Sequence, residues 1–242
     1  MPKPTIVLVH GAWADGSSWN AVASELHERD YTVCTPPNLL RGVQTDAPYV
    51  ASFVAQRTSG PVVLVGHSYG GFVITNAATG GGDVRALVYV DAFVPDEGET
   101  VFQILGGSGS ALDVPDPTTV LDLVGYPGSP EGDVEAFLRA ETVHNFFAQD
   151  LSQADRQLIV DSQRPITLSA NLTPSTSAGW KSIPSWAVVG TDDRVIPPDT
   201  QRRMAERAGA TITDVAASHV SMVSQPRVAL DAILAAAAAV GQ

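Results

Sequence analysis

Val62-Val63-Leu64-Val65-Gly66-His67-Ser68-Tyr69-Gly70-Gly71 decides how the rest of the chain is read. Four apolar residues, three of them β-branched, predict a buried strand. Gly66-x-Ser68-x-Gly70 then predicts a very tight turn, and Phe72-Val73-Ile74-Thr75-Asn76-Ala77-Ala78 a helix that starts at once. A serine forced onto a sharp strand-to-helix turn has strained backbone angles, so residues two either side of it must lack bulk. Gly66 and Gly70 meet that need, and Gly71 lets the helix pack closely on the sheet. The turn exposes the Ser68 hydroxyl above the sheet, beside a helix N-terminus where developing negative charge is favoured. Ser68 is therefore the candidate nucleophile. Glycine turns with a capping serine also occur by chance, so the remainder of the chain has to supply the partners.

Upstream, Thr5-Ile6-Val7-Leu8-Val9 is a β-branched run of the kind a central parallel strand shows. It ends in His10-Gly11-Ala12-Trp13. Ser17 or Ser18 is placed to cap a helix through Trp19, Val22, Ala23 and Leu26. Tyr31 to Thr35 predicts the next strand, and a short helix is expected from about Pro48 to Arg57. Downstream, Val84 to Val90 predicts another strand, ending at Asp91-Ala92-Phe93-Val94-Pro95. Strand alternating with helix predicts a doubly wound, mostly parallel α/β sheet.

The rhythm changes at about Asp96. Glycine, serine and proline dominate Gly106 to Ser110 and Pro127 to Pro130, and helical stretches are expected around Val134-Leu138, Val143-Phe147 and Gln153-Val160. The α/β pattern resumes at Ile183 to Val189. Residues 96–181 therefore read as a helical cap inserted into a core of residues 1–95 and 182–242, within a single domain. A helix over Pro198–Ala208, a strand over Thr211–Val215 and a closing helix over Pro226–Val240 complete it.

A serine hydroxyl needs a base within hydrogen-bond reach, and the base needs a carboxylate to fix its tautomer. With a nucleophile elbow the chain order is serine, acid, histidine, each on a loop after a strand. His219 alone among five histidines follows a late strand. Asp193 is the preferred acid, three residues after Gly190 and four before Pro197. Its neighbour Asp192 and the earlier Asp91 are the alternatives. The oxyanion calls for two backbone N–H donors, one just after the nucleophile and one from the first strand-to-helix loop. Tyr69 and Ala12 hold those positions.

Composition narrows the partners. A formal charge of −12 disfavours nucleic acid and anionic membrane surfaces, and the longest apolar tail, Ala232 to Val240, is too short to span a bilayer. Cys34 is the only cysteine, which excludes a disulfide or a cysteine metal cluster. The scattered histidines give no metal spacing, and no phosphate-loop or dinucleotide fingerprint is present. No metal or other cofactor is expected. The N-terminus runs straight into a strand, so a cytoplasmic location is expected. The exposed-looking cap offers a homodimer surface. Trp13, Phe93, Phe102, Phe146, Phe147 and Trp180 are candidate pocket lining, although each fits plain packing as well.

Taken together, His10-Gly11-Ala12-Trp13, Gly66 to Gly71, Ala92-Phe93-Val94-Pro95-Asp96, Gly190-Thr191-Asp192-Asp193-Arg194-Val195-Ile196-Pro197 and Ser218-His219 resemble the α/β-hydrolase superfamily. Within it they are similar to the plant methylesterase and hydroxynitrile lyase group and its bacterial relatives. The resemblance implies an α/β-hydrolase fold and a cofactor-free hydrolase of small, largely apolar carboxylic esters, with Ser68, His219 and Asp193 as triad. Hydroxynitrile lyases carry a lysine immediately after the catalytic histidine. Val220 stands there, which favours an esterase over a C–C lyase. Cofactor-free oxygenation on the same triad, or ligand binding without turnover, are the other readings this fold admits.

Overall fold

β1 (Thr5–Val9) is buried at all five residues, as a β-branched run with no polar alternation requires. The computed structural model describes residues 3–240. After β1, a 3-10 turn (Gly16–Trp19) leads into α1 (Asn20–His27), β2 (Val33–Cys34), α2 (Val43–Arg57), β3 (Pro61–His67), α3 (Tyr69–Ala77) and β4 (Asp83–Val90). Next come α4 (Val101–Leu105), β5 (Leu121–Val124), β6 (Glu135–Leu138), α5 (Ala140–Thr142), a π-type turn (Val143–Phe147), α6 (Gln153–Ser162) and β7 (Ile166–Thr167). β8 (Ser185–Gly190), α7 (Pro198–Arg207), β9 (Thr211–Val215), α8 (Ser221–Ser224) and α9 (Pro226–Val240) finish the chain.

The six core strands pair in the order β2-β1-β3-β4-β8-β9, and every pairing is parallel. Parallel pairing places the carboxyl ends of β1, β3, β4, β8 and β9 along one edge, where each strand hands over to a loop. α1 and α9 pack together with α9 across β3, β4, β8 and β9, whereas α2 packs on α3 against the sheet. Trp19, Leu26, Phe72, Ile74, Leu64 and Leu87 lie fully buried between these layers.

Local expectations are corrected at four places. Ser17 and Ser18 do not cap α1; Asp15 accepts from the Ser17 amide at 2.7 Å and caps the preceding 3-10 turn. The strand expected over Tyr31–Thr35 shrinks to Val33–Cys34, because only Ile6 and Val7 of β1 pair with it. α2 begins at Val43 rather than near Pro48, which lies inside the helix. Asp46 starts it, its carboxylate accepting the amides of Arg41 and Gly42 ahead of the first turn. Lastly, the segment between β4 and β8 is not purely helical: Glu135–Leu138 is a strand in an antiparallel sheet ordered β5-β6-β7. Ala136 and Leu138 are buried there while Glu135 and Phe137 are less so, a period of two that so short a stretch barely displays.

Candidate active site

β3 enters α3 through Ser68, whose φ of 52° and ψ of −123° no ordinary residue adopts without support. Glycines on every side give that support. A Cβ on Gly66 would lie 2.6 Å from the carbonyl of Gly70, and one on Gly70 would meet backbone oxygens of β1 and His10. A Cβ on Gly11 would lie 2.7 Å from the Cβ of Ser68, which shows how tightly the loop after β1 is pressed against the elbow.

The loops after β8 and β9 bring two further side chains to Ser68. The Ser68 Oγ and His219 Nε2 are 2.8 Å apart, and His219 Nδ1 and Asp193 Oδ2 are 2.7 Å apart. An ionised carboxylate only accepts, so the imidazole proton belongs on Nδ1, which leaves Nε2 to accept from the serine hydroxyl. All three side chains are buried; Ser68 is 2% exposed. Asp193 Oδ1 accepts from the amides of Val195 at 2.8 Å and Ile196 at 3.0 Å. Its Oδ2 also accepts from the Gln201 side chain at 2.7 Å, from the first turns of α7. Four donors thus hold a buried carboxylate that would otherwise lack solvation.

Neither alternative acid reaches His219. Asp192 is exposed, and its carbonyl accepts from Gln149 of the segment between β4 and β8. Asp91 is buried at the end of β4 and accepts from Gly190 N at 3.0 Å and Ser221 N at 2.8 Å. Burial first, and then the charge of Asp193, raise its carboxyl to about 7. Asp91 therefore ties the root of one loop to the other without a hydrogen bond to the imidazole.

His67 Nε2 donates to the His219 carbonyl at 2.7 Å, and burial together with the adjacent His219 holds its imidazole well below the ordinary range. His10 is neutral for a similar reason, its Nδ1 bonded to the Gly11 carbonyl and its Nε2 accepting from Asn38 N. Both histidines bond to backbone groups.

The amides of Ala12 and Tyr69 donate to nothing among the described residues. Tyr69 is fixed from its other end, where its hydroxyl donates to Asp46 at 2.9 Å. Asp46 and Gln201 carry no signal in the sequence: each acts through a tertiary hydrogen bond that no short motif encodes.

A cavity of about 310 Å³ lies beyond Phe147 and Val220, lined by Trp13, Leu151, Leu158 and Ile159 and by polar residues including Asp15, Ser17 and Asp155; Ser68, His219 and Asp193 do not line it. Phe147 is its inner wall, its ring centroid 5.2 Å from that of His219 and 6.0 Å from that of Trp13. Of the other aromatic candidates, Phe93 is core, Phe102 is 65% exposed, and the Trp180 indole donates to the Pro95 carbonyl. Phe146 lines a separate depression beside Asp193 and Arg194. Among the described residues no three His, Cys, Asp or Glu side chains converge as metal ligands, and no helix is long and apolar enough to cross a membrane.

A parallel sheet with a serine on a strained turn and a histidine–aspartate pair on the following strand loops defines a hydrolase architecture, and comparison with known proteins agrees. Residues 6–232 match the alpha/beta hydrolase family, and the chain belongs to that family. Methylesterase 2 of Arabidopsis thaliana is 26% identical over 255 residues, covering 97% of this chain and 96% of that protein. A carbendazim hydrolyzing esterase of a Nocardioides species is 36% identical over 111 residues, a match to 41% of this chain and 46% of that protein. In fold, the chain is similar to polyneuridine aldehyde esterase, with a TM-score of 0.80 at 21% identity over 97% of this chain and 99% of that one.

Proposed function

We propose that this alpha/beta hydrolase is a carboxylesterase acting on small, largely apolar esters through Ser68, His219 and Asp193. The observation that carries the reading is the unbroken hydrogen-bond chain from the Ser68 hydroxyl through His219 to Asp193. In the proposed reaction His219 Nε2 takes the hydroxyl proton as Ser68 Oγ attacks the ester carbonyl. Asp193, held in place by its four donors, keeps the imidazole in the required tautomer and stabilises the imidazolium. The Ala12 and Tyr69 amides bind the oxyanion, a contribution of about 3 kcal/mol per donor in comparable sites. His219 then returns the proton to the leaving alcohol, and a water activated by the same nitrogen releases the acid from Ser68.

A small, largely apolar substrate is supported by the size of the neighbouring cavity and by its Trp13, Phe147, Leu158, Ile159 and Val220 walls, with Asp15, Asn20 and Asp155 also lining it. The relatives named for ester cleavage support the reaction class. Val220, buried and apolar, follows His219, so the base has no cation beside it in sequence.

A chain-length series of p-nitrophenyl esters with wild type and Ser68→Ala tests the reading. Turnover favouring short acyl chains and lost in Ser68→Ala is the expected result. Folded protein that turns over no ester, and whose Ser68 no phosphonate labels, would overturn it.

A further inference from the structure

The loop that carries His219 is held from three directions. From beneath, His67 Nε2 donates to the His219 carbonyl at 2.7 Å. From β4, Asp91 accepts the Ser221 amide at 2.8 Å. The third hold comes from outside the core sheet. Asp150, just before α6, accepts the Ser218 amide on Oδ2 at 3.0 Å and the Ser218 hydroxyl on Oδ1. Ser218 is buried and immediately precedes His219, whereas Asp150 keeps much of its surface in water.

The same short stretch touches the other partners. The Gln149 amide donates to the Asp192 carbonyl at 2.7 Å, and Arg194 donates to the Asn145 carbonyl at 3.2 Å. Phe147 stacks edge-on against the His219 ring. Residues 145–150 therefore brace the loop bearing Asp193 and the loop bearing His219 together.

We propose that Asp150 is a positioning residue: through Ser218 it fixes where the His219 imidazole stands, so the base is aligned only while the segment between β4 and β8 is seated on the core. One carboxylate accepting both donors of a single serine constrains that residue's backbone and its side chain at once. Proton transfer tolerates little slack, and a misplacement of about 1 Å costs on the order of 100-fold in rate. Because water reaches Asp150, its loss leaves Ser218 donors that water can satisfy. The fold survives while the alignment loosens.

The kinetic half of this inference rests on the reading of His219 as base, so its test carries a readout that does not. Asp150→Ala, Asp150→Asn and Arg41→Ala are compared with wild type by ester kinetics, thermal midpoint and the low-field proton resonance of His219 Nδ1–H, assigned by its absence in His219→Ala. Asp150→Ala should lower kcat about 10- to 100-fold with KM little changed. Its midpoint should stay near wild type, and the low-field resonance should shift or be lost to exchange. Asp150→Asn should recover most of kcat and the resonance, since its amide oxygen accepts the Ser218 amide and its amide N–H can donate to the hydroxyl. Arg41→Ala cuts the Arg41–Glu135 ion pair, which joins the same segment to the core through residues that make no hydrogen bond to the loop bearing His219, and should leave both readouts unchanged. Wild-type kcat and resonance in Asp150→Ala would overturn the proposal, as would equal losses in Arg41→Ala, which signify general loosening. Unaltered ester turnover in His219→Ala would sink the esterase reading instead, and the resonance would still decide whether Asp150 positions the ring.

Discussion

Ser68 occupies backbone angles that cost a residue with a Cβ about 1–3 kcal/mol. Part of that cost is recovered by removing the Cβ, offset by about 0.5–1 kcal/mol for the greater freedom of glycine in the unfolded chain. Ser68→Gly should therefore be about 1 kcal/mol more stable than Ser68→Ala, read from urea midpoints, with both inactive. His67 supplies a pH-dependent term. Its imidazole is neutral when folded but takes a proton near its ordinary value of 6.5 when unfolded, so the unfolded state binds more protons below that pH. Stability from His67 is complete above about 6.5 and is lost as pH falls. Asp91 slopes the other way: folded, it keeps its proton up to about 7, so its contribution declines as pH rises from about 4 to 7. His67→Gln retains a donor for the His219 carbonyl and removes the titration. Its thermal midpoint should fall less steeply than that of wild type between pH 6.5 and 5, with His10 responsible for part of the remaining slope. Ser68, Asp193 and His219 were legible because each follows a strand on a short, distinctive loop. Gln201, Asp46 and Asp150 were not, because their partners lie 8, 23 and 68 residues away and no spacing rule connects them.

At the level of elements, the elbow is the most constrained junction. The Cβ of a Gly66→Ala variant would press on the backbone of Gly70 and Gly71, which cannot swing aside as a side chain could. The substitution should cost about 3 kcal/mol or more and yield largely insoluble protein, whereas Gly128→Ala, in a loop with open space around it, should cost only the strain of its positive φ. α7 contributes through Gln201, and Gln201→Leu would leave Asp193 with one donor fewer in a buried setting. A loss of about 10-fold in kcat with a smaller effect on KM is expected, measured on the same short-chain ester. The core strands and α9 were readable from unbroken β-branched runs and from helix-forming alanines. β6 and the start of α2 were not: the first is four residues long, and the second lies ahead of Pro48, which sits inside the helix, with a glycine and no capping side chain at its N-cap.

Across the whole molecule, a charge of −12 repels itself, while the surface ion pairs, such as Arg207 with Glu99, contribute at most about 1 kcal/mol each. Screening should therefore help more than it harms, and the thermal midpoint should rise by a few degrees between low and physiological ionic strength. The break in rhythm after β4 was visible in the sequence, but the small antiparallel sheet of β5, β6 and β7 was not. The hydrogen bond between Ser68 and His219 spans 151 positions of the chain. On a ribosome, the elbow is finished long before its histidine has been synthesised. In the proposed mechanism a nascent or truncated product thus possesses a complete serine turn and no base to deprotonate it, so ester cleavage is withheld until the closing strands β8 and β9 have docked.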